Sequence, residues 1–315
     1  MLFRSTSDGH RIGTVNVLDS KPHNPSDDDI ATLRDLAAIV MDQLELRLSA
    51  LHTVRDELEA RNIVEPDGAT IADYAAALQR SLLPPSLPNI PRLSLAAHYH
   101  PASAAQVGGD FYDVFALDDE RWAFFLGDVE GHGPAAAAVT SLVRYTLRSA
   151  ALHNVDPVEG LAELNSVLVG DPNEKKFCTV LFGVLTPDSG DAGAERYHVT
   201  LATGGHCPAL LLDADAGTVR QVRPKAGMLV GAVADAAFDQ CTVGLQPGHT
   251  LLLYSDGIIE ARPDGTQCFG ESALRTFLTE RTGLPAADLI NDLATLVTAL
   301  RPGDDVALLA LTADR

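Results

Sequence analysis

VGGDFYDVFALDDERWAFFLGDVEGHG, residues 107–133, contains two short apolar runs, FYDVFAL and RWAFFLGDV. Each is rich in aromatic residues and valine and of strand rather than helix length. Each also has an aspartate beside glycine at one end: Asp110 follows Gly108-Gly109, and Asp128 follows Gly127. A strand end fixes a carboxylate rigidly, and a neighbouring glycine lets backbone approach a ligand closely or adopt a positive φ.

The same local pattern returns at Asp256-Gly257 and at Gly303-Asp304-Asp305. Further β-like runs are LSLAAHYH, CTVLFGVL, YHVTLAT, PALLLD, HTLLLYSDG and DVALLALT, with helical stretches expected at 134–152, 157–169, 271–281 and 285–300. Strands without a regular strand-helix-strand alternation predict an antiparallel α+β architecture rather than a doubly wound parallel sheet. A single Asp-Gly pair is most often a turn. Only the set of such pairs points to one site. Its candidate ligands are all oxygens, which suit hard cations such as Mg2+ or Mn2+. Two such ions about 3.5–4 Å apart would acidify a bridging water and clamp a phosphoryl oxygen, the chemistry of phosphoester hydrolysis without a covalent intermediate.

Composition narrows the function classes. The 315 residues allow one large domain with an accessory segment. With 43 acidic against 23 basic residues and a net charge of -20, nucleic acid is not an expected partner. The opening MLFRSTSDGHRIG lacks the apolar run of a signal peptide, and no stretch approaches the ~20 apolar residues of a membrane span. The expectation is a cytoplasmic protein without membrane contact. Cys178, Cys207, Cys241 and Cys268 show no CxxC spacing and read as small apolar residues. Neither GxxxxGK[ST] nor GxGxxG occurs, so no nucleotide fingerprint is present.

Toward the N-terminus, RIGTVNVLD (11–19) reads as a strand and is followed by a proline-punctuated loop. Ser26 is a helix N-cap candidate, with Asp27, Asp28 and Asp29 favouring the positive end of the helix dipole. Ile30, Leu33, Ala37, Val40 and Leu44, continued by Leu48, Leu51 and Leu58, form a coiled-coil-like seam. It serves either homodimerisation or packing within its own domain. Residues 62–70 break the pattern, a second helix runs through Ile71, and the prolines of LQRSLLPPSLPNIP mark a boundary. The expected organisation is 1–50, a linker over 51–83, and a main domain over 84–315.

Taken in order, VGGDFYD (107–113), LGDVEGHG (126–133), LLLYSDG (251–257) and GDDV (303–306) resemble the PPM-type serine/threonine phosphatases in their bacterial SpoIIE-like, RsbU-like branch. LQRSLLP, CTVLFGVL, ATGGHCPALLL and FGESAL agree, so that the resemblance covers about residues 78–312. It implies two antiparallel sheets sandwiched between helices and a site holding two ions, Mn2+ or Mg2+. Asp110 and Asp128 would be metal ligands, with the Val129 carbonyl joining them. Asp256 and Asp304 would complete the set, with Asp305 as the alternative to Asp304. Glu130 stands where eukaryotic members have histidine, either as a proton donor to the leaving serine oxygen or as a solvent-facing loop residue. His132 is the other candidate acid. Thr203-Gly-Gly-His206 departs from the Asn-Ala-Gly-His form typical of the branch, a difference bearing on packing more than on metal.

The implied substrate is phosphoserine or phosphothreonine of a regulatory protein, such as a STAS-type anti-anti-sigma factor. The alternative is a catalytically weak signalling adaptor with the same fold. Residues 11–50 resemble the last strand and closing helix of a GAF sensory domain, whose signal would pass through the helical stretch from Ser26 to Leu82. His98 and His100 share a strand face, for which packing is the simpler account than metal. The sequence does not fix where Arg144 and Lys225 lie relative to the site.

Overall fold

The computed structural model describes residues 2–5, 11–15, 68–170, 176–187, 197–263 and 265–315. The expected GAF-like closing helix, the seam from Ile30 to Leu58 and most of the linker lie outside the described residues. The chain divides into two compact units, Met1–Pro66 and Asp67–Arg315. In the first, β1 (Leu2–Ser5) pairs antiparallel with β2 (Arg11–Val15), so the start of RIGTVNVLD is a strand as expected.

The second unit opens with α1 (Gly68–Leu82), which stops where the proline cluster begins. Two five-stranded antiparallel sheets follow. One has the order β10-β7-β6-β5-β4, built from β4 (Asp110–Ala116), β5 (Trp122–Val129), β6 (Cys178–Pro187), β7 (Tyr197–Gly204) and β10 (Gln240–Leu245). The other has the order β3-β12-β11-β8-β9, built from β3 (Leu93–His100), β8 (Ala209–Asp213), β9 (Thr218–Val222), β11 (Thr250–Tyr254) and β12 (Val306–Ala313). Helices α2 (Pro134–His153) and α3 (Pro157–Val169) share an apolar layer with the first sheet, and α5 (Gly270–Thr279) and α6 (Ala286–Leu300) share one with the second.

Three apolar layers result, and strand alternation assigns side chains to them. Along β5, Trp122, Phe124 and Leu126 enter the layer between the sheets, while Ala123 and Phe125 enter the layer under α2 and α3. Both faces of the strand are covered, so WAFFL reads as a continuous apolar run instead of an alternating one. Full burial of a side chain such as Phe124 contributes about 1.5–3 kcal/mol. Gly183 makes room for that ring, because a Cβ there would lie 2.3 Å from the Phe124 ring. The helix ends carry their own signals. The Asp156 side chain caps α3 by accepting from Val158 N at 2.9 Å, with Pro157 in the first turn.

Candidate metal centre

The layer between the sheets is apolar along most of its length and acidic at one end. Asp110 of β4 lies opposite Asp128 of β5, which lies opposite Thr179 of β6. Directly opposed residues share a face, so all three point toward the second sheet. On that sheet the inward-facing positions of β11 and β12 include Leu253 and Ala307, and the same alternation continues to Ser255 and Asp305. Ser255 Oγ donates to Asp110 Oδ2 at 2.5 Å and accepts from Ala307 N at 2.9 Å, tying the two sheets together at the site. Asp256 follows directly and starts the one-turn helix α4 (Gly257–Glu260), whose Ile259 N–H donates to the Asp256 carbonyl at 2.9 Å.

Electrostatics makes the convergence plain. Burial pushes Asp110 well above the usual carboxylate range, with Asp128, Asp305 and Asp256 adding to the rise and the Ser255 hydrogen bond opposing it. Asp128 is raised to about 7, by burial first and then by Asp256, Asp304 and Asp305. Asp256 and Asp305 are raised too, chiefly by burial. Among the described residues, the leading causes at these four carboxylates are burial and other carboxylates, with no lysine or arginine among them.

The two acids of GDDV differ. Asp305 is buried, and its carboxylate accepts from Ala102 N at 2.8 Å and Gly109 N at 3.2 Å. Asp304 is exposed and its Oδ1 accepts from Asp305 N at 2.8 Å. The paired glycines are required here: a Cβ on Gly108 would lie 1.8 Å from Asp305 Oδ2, and one on Gly109 would lie 2.2 Å from the Val129 carbonyl oxygen and 2.6 Å from Asp128 Oδ1. Val129 N donates to Gly109 O at 3.2 Å, and Gln79 of α1 accepts from Gly108 N at 2.8 Å.

Among the described residues, no three carboxylate, imidazole or thiol groups already form a ready coordination shell. The donor set nevertheless fits a hard cation: buried carboxylates that destabilise one another call for positive charge, and all of them offer oxygen. Glu130 and His132 are exposed on the loop after β5. His98 and His100 stack at 6.4 Å on the helix-facing side of β3. Arg144 is buried and bound to Asp113, its Nε 2.8 Å from Oδ2, where Arg148 Nη1 also lies at 2.8 Å. It is therefore not free to read a phosphate, whereas Lys225 is exposed. The four cysteines are free thiols. Sequence reasoning missed Gln79, Thr179 and Ser255, which carry no local signal of a site.

A double sheet with acids gathered at one end of the inter-sheet layer defines a class, and family comparison specifies it: residues 118–314 match the stage II sporulation protein E (SpoIIE) family, to which the chain belongs. The chain is 28% identical over 192 residues to the phosphoserine phosphatase RsbU of Bacillus subtilis, covering 61% of this chain and 54% of RsbU. It spans about half or less of the length of the curated relatives it matches. Among solved structures, the RsbU and RsbW domains of a Mycobacterium tuberculosis protein superpose with a TM-score of 0.62 at 29% identity, over 73% of this chain and 63% of that one. The SiaA-PP2C domain of Pseudomonas aeruginosa shares the fold, with a TM-score of 0.62 at 22% identity over 77% of this chain and 96% of that one. Among the described residues no helix is long and apolar enough to cross a membrane.

Proposed function

We propose that the chain is a metal-dependent protein serine/threonine phosphatase acting on a phosphorylated regulatory protein. The observation that carries this is the convergence of buried and half-buried aspartates from β4, β5 and the ends of β11 and β12, each raised in pKa by burial and by neighbouring carboxylates. Asp110, Asp128, the Val129 carbonyl, Asp256 and Asp304 would hold two divalent cations, Mn2+ or Mg2+. Asp305, whose oxygens already accept two backbone N–H groups, supports the Gly108-Gly109 loop instead. When bound, the cations supply Lewis acidity for water and charge compensation for a phosphoryl group.

This chain's own residues fix the carboxylates, with Asp304 and Glu130 exposed at the edge of the site. Ser255 holds one oxygen of Asp110, and Gln79 and Asp305 hold the loop before it. Glu130, exposed two residues after Asp128, is the acid this reading assigns to protonating the leaving serine oxygen. The phosphoserine activity in the name of RsbU supports the substrate class, and a STAS-type anti-anti-sigma factor is the partner this family reading favours. We assign residues 1–50 to the end of a GAF-like sensory segment, 51–83 to its linker and 84–315 to the phosphatase domain. The hydrogen bond from Gly108 N to Gln79 gives the end of that linker a direct hold on the Asp110 loop. Comparing phosphate release from a phosphoserine protein and a phosphotyrosine protein in Mn2+ tests the assignment. Turnover of the first, absent in Asp256→Asn, is expected; equal turnover of both, or an active Asp256→Asn, would refute it.

A further inference from the structure

His206 takes no part in the site as described, yet it sits between the strands that build it. β7 ends at Gly204, Gly205 takes a φ of 78°, and the chain turns His206 into the interior, where it is 7% exposed. A residue with a Cβ would be strained at that φ, so Gly205 is what permits the turn. Nε2 of His206 lies 3.2 Å from the carbonyl oxygen of Tyr254, and Nδ1 lies 2.7 Å from Thr179 Oγ1.

A carbonyl oxygen only accepts, so Nε2 carries the hydrogen. Burial holds the imidazole neutral, its pKa lowered to about 4. Nδ1 is then an acceptor and takes the Thr179 hydroxyl hydrogen. Both ring nitrogens are engaged, so His206 has no lone pair to offer a cation. Its two partners stand in different sheets. Thr179 lies in β6 directly opposite Asp128, and Tyr254 closes β11 two residues before Asp256. One imidazole therefore spans from the strand beside Asp128 to the strand that delivers Asp256.

We propose that His206 is a positioning residue, whose Nε2–H tautomer couples Thr179 to Tyr254 and so sets the spacing between Asp128 and Asp256. This rests on the proposed metal site. A group hydrogen-bonded directly to a metal ligand typically changes metal affinity or activity by about 10–100-fold when lost; His206 acts one step further back, so the low end of that range is expected. The Thr203-Gly-Gly-His206 segment thus serves the site from behind, through backbone and hydroxyl contacts alone.

The test uses the full chain with Thr179→Val, which keeps the shape and removes the hydroxyl, and Thr179→Ser, which restores it. Mn2+ affinity is read by titration calorimetry, and kcat and KM are read on a phosphoserine protein. Thr179→Val is expected to weaken Mn2+ binding by about tenfold or more and to lower kcat at unchanged KM, with Thr179→Ser within about twofold of the parent. Parent-like Mn2+ affinity and kcat in Thr179→Val would overturn the proposal. If that variant does not fold, His206→Gln, which offers both a donor and an acceptor, is compared with His206→Leu; equal Mn2+ affinity in the two would overturn it. An intact chain that binds Mn2+ but releases no phosphate would sink the phosphatase reading alone, because the Mn2+ affinities still decide the role of His206. An intact chain that binds no Mn2+ would sink both.

Discussion

Replacing Asp128 by asparagine is expected to stabilise the metal-free protein at alkaline pH and to lose most of that advantage once Mn2+ is present. Asp128 is raised from 3.8 to about 7 in the folded state. A carboxylate raised on folding contributes full stability below its unfolded pKa and loses it as pH climbs through the folded value. Three pH units at 1.36 kcal/mol each give a penalty of about 4 kcal/mol above pH 7, the upper end because Asp256, Asp304 and Asp305 share the coupling. Asparagine is neutral throughout and escapes it. Urea unfolding of parent and variant in chelator, at pH 5 and pH 8, reads Asp128 together with its effect on Asp110, since titrating groups away from the site are common to both. The stability difference should move by about 2–3 kcal/mol in favour of asparagine between the two pH values, the rest of the penalty being already present at pH 5. Mn2+ at a hundred times its Kd should return about 2.7 kcal/mol to the parent and less to the variant. A variant less stable than the parent in chelator at pH 8, or a difference independent of pH, would refute the electrostatic account.

Other perturbations follow from the same geometry. Arg144→Met leaves the fully buried Asp113 with only the half-exposed Arg148, and should cost about 3–5 kcal/mol in denaturant unfolding; restoring stability with the Asp113→Leu, Arg144→Met pair would confirm the cause. Gly109→Ala forces a methyl to within 2.2 Å of the Val129 carbonyl, so Mn2+ affinity should fall at least tenfold, whereas Gly265→Ala, with open space around it, should leave that affinity unchanged. His206 has a folded pKa of about 4 against 6.5 unfolded, so its contribution is full above pH 6.5 and is lost as pH falls toward 4. The parent should lose about 3 kcal/mol over that range that His206→Gln does not, measured as the difference between their urea midpoints.

Much of the double sheet was legible because its central strands are covered on both faces. The runs at β5, β6 and β12 begin within a residue of the observed strands, and LSLAAHYH matches β3, a half-exposed edge strand, residue for residue. The strands that escaped notice, TVRQV (β9) and QCTVGL (β10), are edge strands whose polar, exposed positions interrupt any apolar run. The four-residue α4 is too short to show a helical period. The acids were legible because glycine accompanies each at a strand end, a purely local pattern. What holds them was not. Ser255 meets Asp110 from 145 residues away, and Asp305 meets Gly109 from 196 residues away, distances closed only by the pairing order of the two sheets. Nor could spacing reveal that Asp305 is buried and holds Ala102 N and Gly109 N, while Asp304 stays exposed. Arg144, whose place relative to the site the sequence left open, is the partner of Asp113 under α2.

Phosphate release from a phosphoserine protein, by the intact chain stripped with chelator and then given Mn2+, tests the central claim most directly. The account predicts no turnover after stripping, recovery on adding Mn2+, and none in Asp110→Asn at any Mn2+ concentration. Turnover that survives stripping, or that Asp110→Asn retains, would contradict it.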